Sequence, residues 1–226
     1  MNAASCTAPR PLAVFDLDGT ITRFDTLGPY LARCLALRPW RLARALLTLV
    51  ALARYLIDRE RGALKGALLH AVLGGLPRSW LTARTASFVP WLTRRGLFRE
   101  ALQVIQMHRS RGDALLLMSA SVNLYVPQLA ATLGFERTIC SKVLWNHDGR
   151  LDGRLDGPNC RGDEKRRILE ELIERERPSR VYAYGNSAAD VPHLLLADEG
   201  YLINAPSRLS ESRLQRLRWH EREHPP

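Results

Sequence analysis

The stretch Asp16-Leu17-Asp18-Gly19-Thr20 sets two carboxylates one residue apart, beside a glycine and a hydroxyl. Such a pair can hold a cation between its oxygens while one carboxylate stays placed to attack a substrate. A calcium loop would need glycine at its sixth position and glutamate at its twelfth; the chain has Ile21 and Leu27 there. The remaining competitor is an Asx-type turn with no chemistry of its own. Three further polar clusters follow. Ser119-Ala120-Ser121 offers hydroxyls and main-chain N–H groups suited to an anion such as phosphate, although Ser121 could serve only as a helix N-cap. Asn159-Cys160-Arg161-Gly162-Asp163-Glu164-Lys165 brings a lysine that, taken alone, reads as a solvated surface residue. Gly185-Asn186-Ser187-Ala188-Ala189-Asp190 adds a carboxylate and an amide oxygen, or simply a loop with an N-cap.

The elements between these clusters must position them. Short apolar runs at Leu12–Phe15, Ala114–Met118, 138–140, 181–184 and 201–203 read as buried strands, and 98–110, 122–133, 163–177 and 188–197 read as helices between them. This alternation predicts an α/β fold with a Rossmann-like parallel sheet, whose ligands bind beyond the carboxyl ends of the strands. Each polar cluster falls at such an end or at the start of a helix. Residues 143–155, with Asp148-Gly149 at the turn, predict a β-hairpin appended to the sheet, and the repeated Asp-Gly there is turn chemistry. Residues 24–112 break the pattern: Leu31 and Leu35, then Leu42, Leu46, Leu49 and Leu56, then Leu64, Leu68 and Val72 recur at helical spacing without any strand signal. The expected organisation is therefore a core of 1–23 and 113–206, an all-helical insertion of 24–112 directly after the first strand, and a polar helical tail of 207–226.

In this order and placement, Asp-x-Asp-x-Thr, then Ser, then Lys, then Gly-Asn-Ser-x-x-Asp resembles the haloacid dehalogenase superfamily over about residues 12–205. The helical insertion after the first motif, and Asn159-Cys160-Arg161-Gly162 ahead of Lys165, resemble its phosphoserine-phosphatase-like subgroup. The resemblance implies a phosphomonoesterase in which Asp16 attacks phosphorus, and Asp18 first protonates the leaving oxygen and then activates water. It also implies that Thr20 orients the first loop, that Ser119 and Ala120 contact the phosphoryl oxygens, and that Lys165 neutralises charge. Asp16, the Asp18 carbonyl, Asn186 and Asp190 would hold Mg²⁺. Many relatives carry aspartate where this chain has Asn186, so weaker Mg²⁺ binding is expected. Asp25 stands where phosphoserine phosphatases place an acid that meets the substrate amino group, or it caps the first helix of the insertion.

Composition narrows the partners. The 226 residues are 46% hydrophobic and 25% charged, which excludes disorder. The net charge of +10 is uneven, because residues 24–112 carry 15 basic and 4 acidic side chains and the remainder is nearly neutral. Only three of the 33 basic residues are lysines, Lys65, Lys142 and Lys165. The basic insertion, or cap, with Arg38, Arg41 and Arg44 before the apolar run 45–53, could lie on an anionic lipid surface, or its leucines could pack internally. The cap also resembles that of bacterial phosphatidylglycerophosphate phosphatases. A lipid phosphate and a small metabolite such as phosphoserine both remain open as substrates. So do a phosphotransferase with the same intermediate and a non-catalytic basic module on anionic membrane. Nucleic acid is disfavoured by 7% aromatic content and the absence of a stacking motif. The four cysteines form no C-x-x-C pair, and the five residues before Cys6 leave no room for an export signal, so reduced cytoplasmic thiols are expected.

Overall fold

The computed structural model describes residues 9–41, 61–209 and 211–220. Strand β1 (Leu12–Phe15) leads into a cap containing helices α1 (Leu27–Ala36), α2 (Arg61–Leu73) and α3 (Arg78–Arg95), with a 3₁₀ turn at Pro39–Arg41. The chain returns through α4 (Arg99–Arg111) to β2 (Ala114–Val122), α5 (Val126–Leu133) and β3 (Arg137–Ser141). After the hairpin β4 (Val143–Trp145) and β5 (Leu151–Leu155) come α6 (Asp163–Glu176), β6 (Val181–Gly185), α7 (Val191–Leu194), β7 (Glu199–Ile203) and β8 (Gln215–Leu217). The six-stranded sheet runs β3-β2-β1-β6-β7-β8 and every pairing in it is parallel, so the expected α/β architecture is present.

Period-two alternation explains how β1 is buried on both faces. Ala13 and Phe15 join a cluster with residues of α4 and α5, whereas Leu12 and Val14 join Leu169, Leu172 and Leu194 from α6 and α7. Phe15 stacks on Tyr184 at 4.4 Å, and Tyr184 on Tyr201 at 4.8 Å, which ties three neighbouring strands together on one face. The cap enters and leaves through a narrow root: Arg23 donates its N–H to Gly96 O (2.9 Å) and Phe98 to Ile21 O (3.0 Å).

Four expectations differ from the structure. The hairpin is a separate two-stranded sheet, and it lies against cap helix α2 instead of extending the main sheet. His70 Nδ1 and Asp152 O are 2.7 Å apart, and a Cβ on Gly153 would fall 2.4 Å from the Cα of His70, so only glycine permits this approach. The tail contributes strand β8 among its described residues, not a helix; Leu214 and Trp219 are buried, and Trp219 exchanges hydrogen bonds with Asn204. Strand β2 runs on to Val122 through a register shift after Ser119, so α5 begins at Val126 and Ser121 is no N-cap. Helix α4, within the 24–112 span, packs on the sheet, where buried His108 bridges Asp113 (2.7 Å) and the hydroxyl of Tyr184 (2.8 Å). The apolar run 45–53 and Arg44 lie outside the described residues.

Candidate active site

The first polar cluster forms a tight turn off β1. Asp16 is still in the ladder, donating its N–H to Tyr184 O (2.9 Å), and the amides of Ile21 and Thr22 then close onto Leu17 O at 2.9 Å. Gly19 sits at φ +79°, and a Cβ there would come within 1.9 Å of Asn186 Nδ2. Glycine thus lets the turn press against the loop after β6. That loop and the start of α6 complete the centre: Lys165 Nζ donates to Asp16 Oδ1 (2.5 Å) and to Asp190 Oδ1 (2.8 Å). All three residues are at least 94% buried, and Lys165 is no surface lysine.

Every oxygen of this centre has a fixed donor. Thr20 Oγ1 donates to Asp16 Oδ2 (3.0 Å), and Ser187 gives Asp190 Oδ2 both its hydroxyl (2.7 Å) and its N–H (3.1 Å). Burial would lower the pKa of Lys165, but the two carboxylates raise it above the usual lysine range. Burial would raise Asp190, but Lys165, His193 and Ser187 hold it well below the usual carboxylate range. For Asp16, burial together with Asp190 and Asp18 outweighs Lys165 and pushes the carboxyl up to about 7. One ammonium between two buried carboxylates leaves Asp16 short of positive charge.

Asp18 points its carboxylate to the root of the cap. Its Oδ1 accepts the N–H (2.8 Å) and hydroxyl (2.6 Å) of Thr26, and its Oδ2 accepts the hydroxyl of Ser121 (2.6 Å). Burial and the nearby Asp25 raise its pKa, against these three donors. Among the described residues no three His, Cys, Asp or Glu side chains converge into a metal cage. What does converge is Asp16, Asp190, the Asn186 amide and the turn of Asp18, an all-oxygen set suited to a hard cation that retains waters.

A cavity of about 450 Å³ opens over this centre, lined by Asp16, Asp18, Asp25, Ala120, Asn186 and Asp190 among others. Thr20 and Ser119 are fully buried and do not line it; the Ser119 hydroxyl accepts the N–H of Ser121 (3.0 Å). Asp25 accepts the N–H of Leu27 at Oδ1 (3.0 Å), at the start of α1, while also lining the cavity.

Sequence reading assigned no role to Lys65, which reaches down from α2 to donate to Ala120 O (2.5 Å) and Asn159 Oδ1 (2.6 Å). The available signal was lysine scarcity: two of the three lysines end in this cavity. Asn159 also takes the Ser141 hydroxyl at 2.9 Å, so cap, β3 and the α6 loop meet at one amide.

Residues 13–195 match the haloacid dehalogenase-like hydrolase family. The chain is 33% identical over 193 residues to Protein CicA of Caulobacter vibrioides, covering 85% of this chain and 86% of that protein. Among solved structures, a protein of unknown function from Bordetella pertussis Tohama I superposes with a TM-score of 0.73 at 24% identity, over 89% of this chain and 93% of that one. A phosphoserine phosphatase solved as a phospho-aspartyl intermediate analogue has the same fold, with a TM-score of 0.60 at 18% identity over 90% of each chain. With Asp16 directly after β1 and a helical cap inserted behind it, this chain belongs to the haloacid dehalogenase-like hydrolases.

Proposed function

We propose that the protein is a Mg²⁺-dependent phosphomonoesterase working through an aspartyl-phosphate on Asp16. The convergence of Asp16, Lys165 and Asp190 around one ammonium at the floor of the cavity carries this reading. A phosphoserine phosphatase captured as a phospho-aspartyl analogue, with the same fold, supports it.

A carboxylate oxygen of Asp16 forms a bond to phosphorus as the phosphorus–oxygen bond to the alcohol breaks. Asp18, whose burial favours its protonated form, donates a proton to the departing oxygen. The resulting carboxylate then takes a proton from water as the water oxygen attacks phosphorus, releasing inorganic phosphate and free Asp16. Lys165 holds its charge throughout, steadying both Asp16 and the phosphoryl oxygens, and the buried hydroxyl of Thr20 fixes the orientation of Asp16. Main-chain groups around Ala120 face the phosphate, with Ser119 shaping that bend from beneath. Mg²⁺ held by Asp16, Asp190, Asn186 and the Asp18 carbonyl would supply the positive charge that lets an anionic carboxylate approach an anionic phosphate.

A phosphatase screen with and without Mg²⁺ tests the reading, using Asp16→Asn as control. Release of phosphate that survives Asp16→Asn overturns the mechanism.

A second reading concerns where the cap faces. Among the described residues, Trp40 (66% exposed) and Leu37 (52%) are the large apolar side chains left open, and the Arg38 guanidinium lies 5.8 Å from the Trp40 ring and 5.1 Å from the Trp80 ring. Aromatic rings beside arginine suit the headgroup layer of an anionic membrane at the cytoplasmic face. No helix among the described residues is long and apolar enough to cross a membrane.

A further inference from the structure

The Asp18 carboxylate ends a buried set of hydroxyls drawn from both cap and core. Each hydroxyl carries one hydrogen, so the direction of every bond in the set follows. Thr26 places its hydrogen on Asp18 Oδ1 (2.6 Å), and Ser121 places its own on Asp18 Oδ2 (2.6 Å). The phenol of Tyr125 lies 2.9 Å from Thr26 Oγ1 and is therefore the donor of that pair. Burial, with the charge of Asp18 nearby, holds the phenol well above its usual pKa, so it keeps its hydrogen. Donation thus runs from Tyr125 to Thr26 to Asp18.

The two oxygens of Asp18 differ as a result. Oδ1 accepts both the N–H (2.8 Å) and the hydroxyl of Thr26, which fills its two lone-pair directions. Oδ2 accepts the Ser121 hydroxyl alone among the described residues, which leaves it one direction open. Ser121 lines the catalytic cavity, whereas Thr26 is fully buried and does not, so the open oxygen lies on the cavity side.

Tyr125 is held at the seam between the two halves of the molecule. It opens α5 of the core, while its ring meets Tyr30 of α1 at 4.8 Å and Phe88 of α3 at 5.2 Å, both in the cap. Tyr30 in turn lies 3.2 Å from the hydroxyl of Thr85, which donates to Leu124 O (2.8 Å) beside Tyr125. The ring is fully buried and does not line the cavity, so it touches no substrate. Phenylalanine would fill the same aromatic cluster, and a buried hydroxyl is unfavourable without a partner. Packing alone gives no reason for the phenol oxygen; the bond to Thr26 does.

We propose that Tyr125 is a positioning residue for the proton transfers of Asp18: its O–H keeps the Thr26 hydroxyl on Oδ1 and so leaves Oδ2 as the oxygen that exchanges protons. This rests on the phosphatase reading above. In the first step the O–H bond at Oδ2 breaks as the leaving oxygen gains the hydrogen. In the second, water passes its proton to the same Oδ2 as the water oxygen bonds to phosphorus. Thr26 holds Oδ1 through both, so the carboxyl group keeps one orientation.

Tyr125→Phe keeps the ring and deletes the hydroxyl. Benzyl phosphate must release an alcohol and needs the Asp18 proton, whereas p-nitrophenyl phosphate releases a stable phenolate without it. In a single turnover, Tyr125→Phe should release benzyl alcohol roughly tenfold more slowly than wild type, the scale of one lost hydrogen bond, and nitrophenolate at a nearly unchanged rate. Adding Tyr125→Phe to Thr26→Val should cost nothing further, because the relay is already cut. An equal loss on both substrates, no loss on benzyl phosphate, or full additivity with Thr26→Val overturns the proposal. If wild type hydrolyses neither these esters nor any in the wider screen, the phosphatase reading fails, and the relay is then judged by amide hydrogen exchange. The Thr26 N–H should exchange severalfold faster in Tyr125→Phe while that of Val14 in β1 stays protected, which shows the fold retained. Equal exchange of the Thr26 N–H in both proteins overturns the relay.

Discussion

Thr26 gives Asp18 Oδ1 both its N–H (2.8 Å) and its hydroxyl (2.6 Å), so the residue that opens cap helix α1 holds the group proposed as acid and base. The cap and the Asp18 carboxylate are thereby linked through one oxygen. Removing the carboxylate should stall the second half of the reaction more than the first when the leaving group needs no proton. With p-nitrophenyl phosphate, Asp18→Asn should release about one nitrophenolate per active site in a burst and then turn over roughly 10²- to 10⁴-fold more slowly than wild type. A linear time course without a burst, at an undiminished rate, contradicts the assignment.

Thr26→Val keeps the amide donor and deletes the hydroxyl. Asp18 is already raised, chiefly by burial, and losing a donor to its ionised form raises it further. Where hydrolysis of the phosphoenzyme limits the rate, Asp18 must be ionised, so activity falls as pH drops through its pKa. The acid limb of the kcat profile should therefore move to higher pH in Thr26→Val. A limb that stays in place separates Thr26 from Asp18 titration.

Lys165→Met leaves Asp16 and Asp190 facing each other in a buried site without their shared ammonium. The loss should be about 3–5 kcal/mol of unfolding free energy at pH 8, measured by urea denaturation with chelator present. The sign with pH follows from Asp16: its folded pKa lies above the unfolded value of 3.8, so the folded state retains a proton that the unfolded state releases, and stability falls as pH rises through that window. Without Lys165 the window widens upward. The variant should accordingly lose less stability at pH 5 than at pH 8, and an equal loss at both would show that packing, not charge, sets the cost.

The motif residues were legible because chemistry restricts their types and the strand ends restrict their places: Asp16, Lys165 and Asp190 meet within hydrogen-bond distance although 149 residues separate the first two. The short apolar runs of β1 and β2 are equally plain. The contacts that sequence reading missed are those made by side chains whose type gives no warning. Lys65 on a cap helix, Asn159 in a loop and Thr26 at a helix start look like solvated or capping residues until tertiary packing brings them over the site. The hairpin is legible as a hairpin, but its partner is not, because packing on α2 needs the bare backbone of Gly153 as well as the buried Val143 and Leu151, and neither names the helix they meet.

Asn186 tests the metal reading from another direction. Its side chain packs against Gly19, so its amide is held beside the Asp16 turn, yet it brings no charge. Asn186→Asp adds a carboxylate of nearly equal size, and the Mg²⁺ concentration for half-maximal activity should fall severalfold; an unchanged requirement removes Asn186 from the metal set. Gly19→Ala should remove activity by a different route, since its methyl would collide with Asn186 at a φ of +79°.

The cap surface makes the last prediction. An exposed Trp40 beside Leu37, with the Arg38 guanidinium near its ring, would gain by moving its ring into a lipid headgroup layer while arginine meets phosphate. The surplus of basic residues in the cap should make this attraction depend on anionic lipid and weaken with salt. Co-sedimentation with phosphatidylglycerol-containing vesicles should exceed that with phosphatidylcholine alone, and Trp40→Ser should lower it without altering turnover of a soluble substrate, because Trp40 lies outside the catalytic cavity. Equal sedimentation with neutral and anionic vesicles, or no effect of Trp40→Ser, would leave the cap cations with the cavity alone to explain them.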